Sequence, residues 1–195
     1  MTTIYMKGDK SLPKRQDFDF YPTPLAVAQD ALTHVPIMIN PTCILDPGAG
    51  TGVWGKAARG LFPQSTITGI DLRPVPKVPA YNFWFHADYL LMDAAPVFDL
   101  VIGNPPYKYA EQFVRQSMKM LEIQGCLILL LRLNFLESQS RATGLWREHP
   151  PLKVVVSSKR VSFTGDGKTN ATAYAYFIWQ KGWKGETRLL WSKAA

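Results

Sequence analysis

The residues of this chain best suited to chemistry are Asn104-Pro105-Pro106-Tyr107, which follow the apolar run Phe98–Gly103. That run has the length and composition of a buried strand, and the first proline ends it because proline lacks a backbone N–H. The tetrapeptide is therefore predicted to form a stiff loop at the carboxyl edge of a sheet, where open α/β folds bind ligands. The Asn104 side-chain oxygen and the next outward-facing carbonyl would be paired acceptors for one planar NH₂ group, beside the Tyr107 ring. The alternative is a proline-rich turn with no role in chemistry.

A second loop with ligand-binding character begins at Asp46, which precedes Gly48, Gly50 and Gly52. The glycines permit a tight turn and let backbone N–H groups approach a ligand closely. Their spacing differs from that of dinucleotide sites, and Asp46 suits a cationic ligand better than a pyrophosphate. Asp71 ends the next predicted strand, about twenty residues past the glycines, where an acidic residue can bind ribose hydroxyls. These features predict a nucleoside ligand without phosphates.

The elements that must position these loops alternate between strand and helix along the chain. This alternation predicts an α/β fold with a mostly parallel seven-stranded sheet and helices on both faces. No helix separates the last two strands, so the last strand is predicted to be antiparallel. The predicted strands are Cys43–Asp46, Thr66–Asp71, Asn82–His86, Phe98–Gly103, Cys126–Leu133, Val154–Ser157 and Thr172–Trp179, and the predicted helices are Leu25–Leu32, Val53–Leu61, Glu111–Glu122 and Ser138–Glu148.

The length of 195 residues favours one domain. We expect residues 1–20 to be a flexible basic arm and residues 21–195 to be a single catalytic domain. Only Gly182–Ala195 follow the predicted elements, so no separate target-recognition domain is expected. The first twenty residues lack an apolar stretch typical of a secretory signal, and no apolar run is long enough to span a bilayer. We therefore expect a cytoplasmic protein, of a bacterium or a phage-infected host, that does not bind membranes.

Metal chemistry is not expected from this sequence. The three histidines, His34, His86 and His149, are scattered, and the two cysteines lack the spacing of metal ligands.

The net charge of +7 is unevenly distributed along the chain. Residues 101–195 carry fourteen bases and six acids, whereas residues 21–100 carry four bases and six acids. A basic half of this kind is typical of proteins that bind a polyanion, usually nucleic acid. The alternative is a solvated basic surface that binds no partner. The candidate nucleic-acid contacts are Lys14, Arg15, Lys108, Arg132, Arg141, Lys159, Arg160 and Lys168.

Taken together, these motifs resemble those of S-adenosylmethionine (SAM)-dependent N6-adenine DNA methyltransferases with the γ order of motifs. The similarity runs from about residue 18 to residue 180. The stretch Arg160–Lys168 is similar to that of small phage and prophage members. The segments that carry the resemblance are, in order, Tyr21-Pro-Thr-Pro24, Asp46–Gly52, Asp71, Ala87-Asp88-Tyr89 and Asn104–Tyr107.

The resemblance implies a Rossmann-like class I methyltransferase fold and SAM as cofactor. Thr23 is expected to contact the cofactor, although it could serve only as a helix cap. Asp88 is expected to bind the cofactor adenine, although Asp93 lies close in sequence. The cofactor-binding residues implied are Tyr21, Thr23, Pro24, Asp46, Gly48, Gly50, Gly52, Asp71, Leu72, Asp88, Tyr89 and Asn104.

The implied reaction is methyl transfer to the N6 amine of an adenine flipped out of double-stranded DNA. The catalytic residues would be Asn104, Pro105, Pro106 and Tyr107, and the target base would stack on Tyr107 and Phe163, although Phe163 could simply belong to the core. Without a recognition domain, sequence specificity is expected to be short or relaxed, unless a homodimer or a partner subunit supplies more. RNA adenine, a glutamine amide of a protein, and a non-catalytic nucleic-acid-binding role are the alternatives.

Overall fold

The computed structural model describes residues 22–36, 39–163 and 172–193. Short loops connect most of the strands and helices, in the alternating order that the sequence predicts. The strands in the described residues are β1 Cys43–Pro47, β2 Thr66–Asp71, β3 Phe83–His86, β4 Phe98–Gly103, β5 Leu121–Arg132, β6 Lys153–Val156, β7 Tyr174–Gln180 and β8 Arg188–Trp191. The helices there are α1 Leu25–Leu32, α2 Val53–Leu61, α3 Ala110–Met120, α4 Gln139–Thr143 and α5 Leu145–Glu148.

The strands form one sheet in the order β3-β2-β1-β4-β5-β7-β6-β8. Strands β1 to β5 pair in parallel, and β7 lies antiparallel between β5 and β6. The predicted fold class is confirmed, including the antiparallel insertion of β7. The predicted number of seven strands is wrong, because Arg188–Trp191 adds an eighth strand parallel to β6. The apolar run of this edge strand, Leu189–Trp191, is only three residues long, shorter than the runs on which the prediction relied, and all four residues of β8 are exposed.

The core consists of two apolar layers, one on each face of the sheet. Alternate residues of the central strands point to opposite layers, as in Ile44 and Leu45 of β1. Helices α1 and α2 contribute to one layer, and α3 and α5 contribute to the other. Each fully buried Leu or Ile side chain stabilises the fold by roughly 1.5–3 kcal/mol. Within the described residues, no helix has the length and apolar character needed to cross a membrane.

Two predicted helix boundaries are wrong for local reasons. Helix α3 ends at Met120, and the chain enters β5 at Leu121, where it pairs with Phe98 before an irregularity restores regular pairing at Cys126. The irregularity includes Gln124, which has a left-handed backbone with φ 66°. The predicted helix Ser138–Glu148 is split into α4 and α5 by Gly144. Neither difference involves the residues of the candidate site in Asp46–Gly52 and Asn104–Tyr107.

Candidate active site

The two loops predicted to carry chemistry meet where the direction of strand order reverses. Strands β1 and β4 are neighbours, and successive parallel strands run outward from them on either side. Open α/β sheets bind ligands at such a switch point, beyond the carboxyl ends of the strands. A Cβ placed on Gly103 would lie 3.5 Å from Asp46 Oδ1 and 3.4 Å from the Pro47 carbonyl oxygen. The end of β4 is therefore in direct contact with the end of β1.

The Asn104 side chain is held by Thr23, which precedes α1. Asn104 Nδ2 donates a hydrogen bond of 3.1 Å to Thr23 Oγ1, and Trp54 Nε1 donates to the same oxygen at 3.2 Å. Thr23 does not cap α1: Pro24 occupies the N-cap position, and no side chain caps the helix. Because the amide nitrogen is directed to Thr23, the amide oxygen is the end that can accept from a substrate amine.

The glycine loop is tight, as predicted, but its N–H groups have partners within the protein. Gly48 and Ala49 donate to the Ile70 carbonyl at 2.7 and 2.9 Å, and Gly50 donates to Asp71 Oδ2 at 2.6 Å. In this structure these three N–H groups donate to β2, and the cofactor role expected of Gly48 and Gly50 stays a prediction. Gly52 has φ 76°, and a Cβ there would lie 2.8 Å from Val78. The loop thus needs glycine for backbone conformation and close packing.

Asp46 is fully buried at the end of β1. Its Oδ2 accepts a hydrogen bond of 2.6 Å from the Tyr81 hydroxyl, and its Oδ1 has no partner among the described residues. Burial raises the pKa of Asp46 to about 7; the Tyr81 hydrogen bond opposes this shift, and the nearby Asp71 adds to it. The Tyr81 ring reaches Asp46 only because residue 55 is glycine, since a Cβ there would lie 2.4 Å from the ring. A cation bound next to Asp46 would stabilise the ionised form of this buried carboxyl group.

Asp71 ends β2 as predicted, and its carboxylate joins two loops. Besides Gly50, it accepts hydrogen bonds from Arg73, whose backbone N lies 2.8 Å and whose Nε lies 3.0 Å from Oδ1. Asp71 is 4% exposed. The carboxylate therefore holds the glycine loop against the end of β2, and its role as a ribose ligand stays a prediction.

Asp88 and Tyr89 follow β3 on the same edge of the sheet. Asp88 caps a short 3₁₀ turn by accepting from the Leu90 N–H at 3.1 Å, whereas Asp93 is exposed. The Tyr89 ring is buried against Phe113, so any contact of Tyr89 with a ligand would involve its backbone. Leu72 is half-buried, and its carbonyl accepts a 2.8 Å hydrogen bond from His86 Nε2.

Aromatic side chains gather beside Asn104. The Tyr107 and Tyr174 ring centroids are 5.8 Å apart, and Phe163 meets Tyr174 edge-on at 5.1 Å. The Arg132 guanidinium lies over the Tyr107 ring, 4.7 Å from its centroid, and its buried Nε has no hydrogen-bond partner in the described parts of the chain. Burial and the neighbouring Tyr174 hydroxyl raise the pKa of Tyr107 well above its usual range, so it stays neutral. Arg132 thus already covers one face of the ring predicted to stack on a base.

The basic residues predicted to contact nucleic acid have different environments. Lys108, Lys159 and Arg160 are exposed and follow the carboxyl ends of β4 and β6, on the edge that carries Asn104. Arg141 instead donates to the Phe135 and Glu137 carbonyls at 2.8 and 3.0 Å, and its guanidinium lies 4.5 Å from the Phe135 ring centroid. Four predicted residues lie outside the described residues: Lys14, Arg15, Tyr21 and Lys168.

Four residues of the site were not predicted from the sequence: Tyr174, which meets the rings of Tyr107 and Phe163, and Trp54, Tyr81 and Arg73. Three of them form hydrogen bonds with predicted residues: Trp54 with Thr23, Tyr81 with Asp46, and Arg73 with Asp71. Trp54 and Tyr81 carry no local motif, since each lies far along the chain from the residue it contacts. Arg73 is two residues from Asp71 in a loop, and this short spacing was the one sequence feature that could have predicted their contact.

Comparisons with known sequences give partial matches, and no family model matches the chain. The chain is similar to the type II methyltransferase M.CvrRI of Paramecium bursaria Chlorella virus XZ-6E, with 35% identity over 72 residues, covering 35% of this chain and 19% of that protein. It is also similar to the tRNA1(Val) (adenine(37)-N6)-methyltransferase of Flavobacteriaceae bacterium strain 3519-10, with 37% identity over 75 residues, covering 33% of this chain and 32% of that protein. The matches thus span about a fifth and a third of these relatives.

Comparisons with solved structures cover most of the chain at low identity. A candidate class I SAM-dependent methyltransferase of Listeria monocytogenes matches 89% of this chain and 66% of its own, with TM-score 0.67 and 15% identity. A candidate RNA methyltransferase of Pyrococcus horikoshii matches 86% of this chain and 91% of its own, with TM-score 0.66 and 14% identity. The plantazolicin methyltransferase BpumL, solved with S-adenosylhomocysteine, matches 80% of this chain and 84% of its own, with TM-score 0.56 and 13% identity. The chain has the Rossmann-like fold of class I SAM-dependent methyltransferases.

Proposed function

We propose that this protein transfers a methyl group from SAM to the N6 amine of adenine in DNA. The observation that carries the proposal is the orientation of Asn104, whose amide nitrogen is bound by Thr23 at the switch point of the sheet. The amide oxygen is the acceptor end of this side chain, and it follows the end of β4, which contacts the end of β1. The partial sequence matches to a type II methyltransferase and to tRNA adenine-N6 methyltransferases support the same class of reaction.

The half of the site beyond β1, β2 and β3 suits SAM electrostatically. Its carboxylates are Asp46, Asp71 and Asp88, each at or just beyond the carboxyl end of one of these strands. SAM carries a sulfonium and an ammonium group, and both favour a site of negative charge. Asp46 is the best candidate for the charge contact, because its buried Oδ1 has no partner in the described chain. Asp71 and Asp88 would bind the ribose and the adenine.

The other half of the site suits a nucleotide. It contains the half-buried rings of Tyr107 and Phe163, which pack on the buried Tyr174, and an accessible aromatic ring stabilises a stacked base by about 1–3 kcal/mol. On the same edge, Arg132 is the last residue of β5, and the exposed Lys108 and Lys159 follow β4 and β6. Phosphates of a nucleic acid would therefore meet positive charge beside the acceptor loop.

The residues of the acceptor loop would act on the amine, not on the methyl donor. The Asn104 oxygen and the Pro105 carbonyl would accept the two N6 hydrogens, so that the nitrogen becomes pyramidal and its lone pair is freed for attack. SAM, when bound, supplies an electrophilic methyl: the N–C bond forms as the S–C bond breaks, and S-adenosylhomocysteine leaves. The two acceptors would stabilise the positive charge that develops on N6 until a proton is lost to solvent.

SAM affinity is expected to rise with pH because of Asp46. Its pKa is about 7 in the ligand-free protein, and only the ionised carboxylate attracts a cation. Below pH 7 Asp46 is protonated, so the dissociation constant should rise about tenfold between pH 8 and pH 6. Isothermal titration calorimetry at pH 6, 7 and 8 measures this. Asp46→Asn removes the ionisation and should flatten the dependence; an equally steep dependence in that variant would exclude Asp46 as its cause.

The substrate can be identified by incubating the protein with methyl-labelled SAM and, separately, a plasmid, total tRNA and a protein extract. We expect label in DNA, recovered as N6-methyldeoxyadenosine after digestion to nucleosides. Label in tRNA alone would establish the second candidate, an RNA adenine methyltransferase, which the tRNA-modifying relative favours. Label only in protein, or in none of the three, would overturn the proposal. Asn104→Ala is the control for contaminating methyltransferases.

A further inference from the structure

An asparagine amide has two ends of nearly equal shape, one a donor and one an acceptor. If Asn104 presented its NH₂ end to an adenine amine, donors would face donors and the amine could not be activated. The amide must therefore be held in one orientation before the substrate arrives. The residues that do this would influence catalysis without touching the reacting atoms.

The structure shows a hydrogen-bond unit of Thr23, Trp54 and Asn104 that can hold it, beside Tyr107, whose side chain also interacts with that of Asn104. Thr23 Oγ1 lies 3.1 Å from Asn104 Nδ2 and 3.2 Å from Trp54 Nε1. Thr23 is 6% exposed and Trp54 is 4% exposed, so water cannot readily replace either partner. The indole N–H can only donate, so Thr23 Oγ1 must be an acceptor in this unit.

The two bonds to the hydroxyl oxygen favour the amide orientation that the structure shows. A threonine oxygen has two acceptor positions, and Trp54 and Asn104 occupy both. The indole N–H of Trp54 donates to the Thr23 oxygen, so that oxygen acts as an acceptor, and the Asn104 amide nitrogen donates to it. A reversed amide would place two oxygens together unless the threonine hydrogen rotated between them. We infer that Thr23 and Trp54 are positioning residues that keep the Asn104 oxygen directed at the substrate amine; this inference rests on the proposed function.

The unit also connects the cofactor loop to the acceptor loop. Trp54 lies in the first turn of α2, two residues after Gly52, whereas Asn104 follows β4. Thr23 lies before α1, so three separate elements meet at one oxygen atom. A displacement of α2 would therefore be transmitted to the amide that binds the substrate.

The first test observes the amide directly, without any activity. The side-chain NH₂ signals of Asn104, assigned by comparison with Asn104→Asp, should show one proton shifted and slowed in exchange by its bond to Thr23. Thr23→Val is isosteric but cannot accept, so we expect both features to be lost. Trp54→Phe combined with Thr23→Val leaves no buried indole N–H unpaired and guards against misfolding. Thr33→Val, at an exposed threonine after α1, is the matched control and should change nothing.

The second test measures turnover at saturating SAM and DNA. Thr23→Val should lower kcat about tenfold, as expected for the loss of one orienting hydrogen bond. Thr23→Ser restores the acceptor and should stay within about threefold of wild type. In the Asn104→Asp background the two carboxylate oxygens are equivalent, so Thr23→Val should have little further effect. A purely structural role for Thr23 would give the same loss in both backgrounds.

The outcomes separate this inference from the proposed function. If the wild type methylates no nucleic acid but Thr23→Val still alters the Asn104 amide signals, the function fails and the positioning role stands. If Thr23→Val leaves the amide signals and kcat unchanged, or if Thr23→Ser fails to restore them, the positioning role is overturned. Should Asn104→Asp be inactive, the amide signals and the serine variant decide the question.

Discussion

Replacing Asn104 with alanine should reduce methyl transfer by about two to three orders of magnitude, a loss typical of removing one preorganised polar group. The side chain provides one of two proposed acceptors for the amine, and its orientation by Thr23 means that the acceptor is already in place. SAM binding should be largely retained, because the proposed charge contact to the cofactor comes from Asp46. Single-turnover methylation of a duplex oligonucleotide, combined with calorimetric titration of SAM, measures both quantities.

The matched control for this prediction is Asn40→Ala. Asn40 is an exposed asparagine near the start of β1, at the opposite edge of the sheet. Its replacement should leave turnover within about twofold of wild type, in the range of ordinary surface changes. If Asn104→Ala also methylates at a near-normal rate, the acceptor loop is not the catalytic centre and the proposed function is wrong.

Replacing Asp71 with alanine should weaken SAM binding about tenfold to a hundredfold, the range for losing a hydrogen bond to a charged group. Two causes act together. The proposed ribose contact is lost, and the buried Gly50 N–H loses its 2.6 Å acceptor, so the glycine loop is less firmly held. DNA affinity, measured by fluorescence anisotropy, should change by less than about threefold, because Asp71 lies in the half of the site that we propose for the cofactor.

Asp71→Asn separates the two causes. The asparagine oxygen can still accept from Gly50, but the charge that attracts Arg73 is gone. We expect an intermediate affinity for SAM. Asp93→Ala, which removes an exposed carboxylate nearby in the chain, should have little effect. Equal losses of SAM and DNA affinity in Asp71→Ala would indicate general destabilisation and count against a cofactor role.

The positions of the main elements could be predicted because they depend on local patterns. Strand β4 is a short apolar run ended by Pro105, and its predicted bounds Phe98–Gly103 are those observed. Strand β8 was not predicted because its apolar run, Leu189–Trp191, is only three residues long and shows no alternation. The end of α3 at Met120 was also missed, because Leu121 is apolar and fits a helix as well as the strand it joins.

Local residue order was sufficient for the strand–helix alternation, and with it for the placement of Asp46, Asp71 and Asn104 at one edge of the sheet. Parallel strands joined by helices must have their carboxyl ends together, whatever the details of packing. The partners of these side chains depended on folding in three dimensions. Thr23 is 81 residues from Asn104, and Tyr81 is 35 residues from Asp46. Burial in the folded chain determines which groups come within about 3 Å and form hydrogen bonds. The sequence near a residue therefore does not indicate its distant partner.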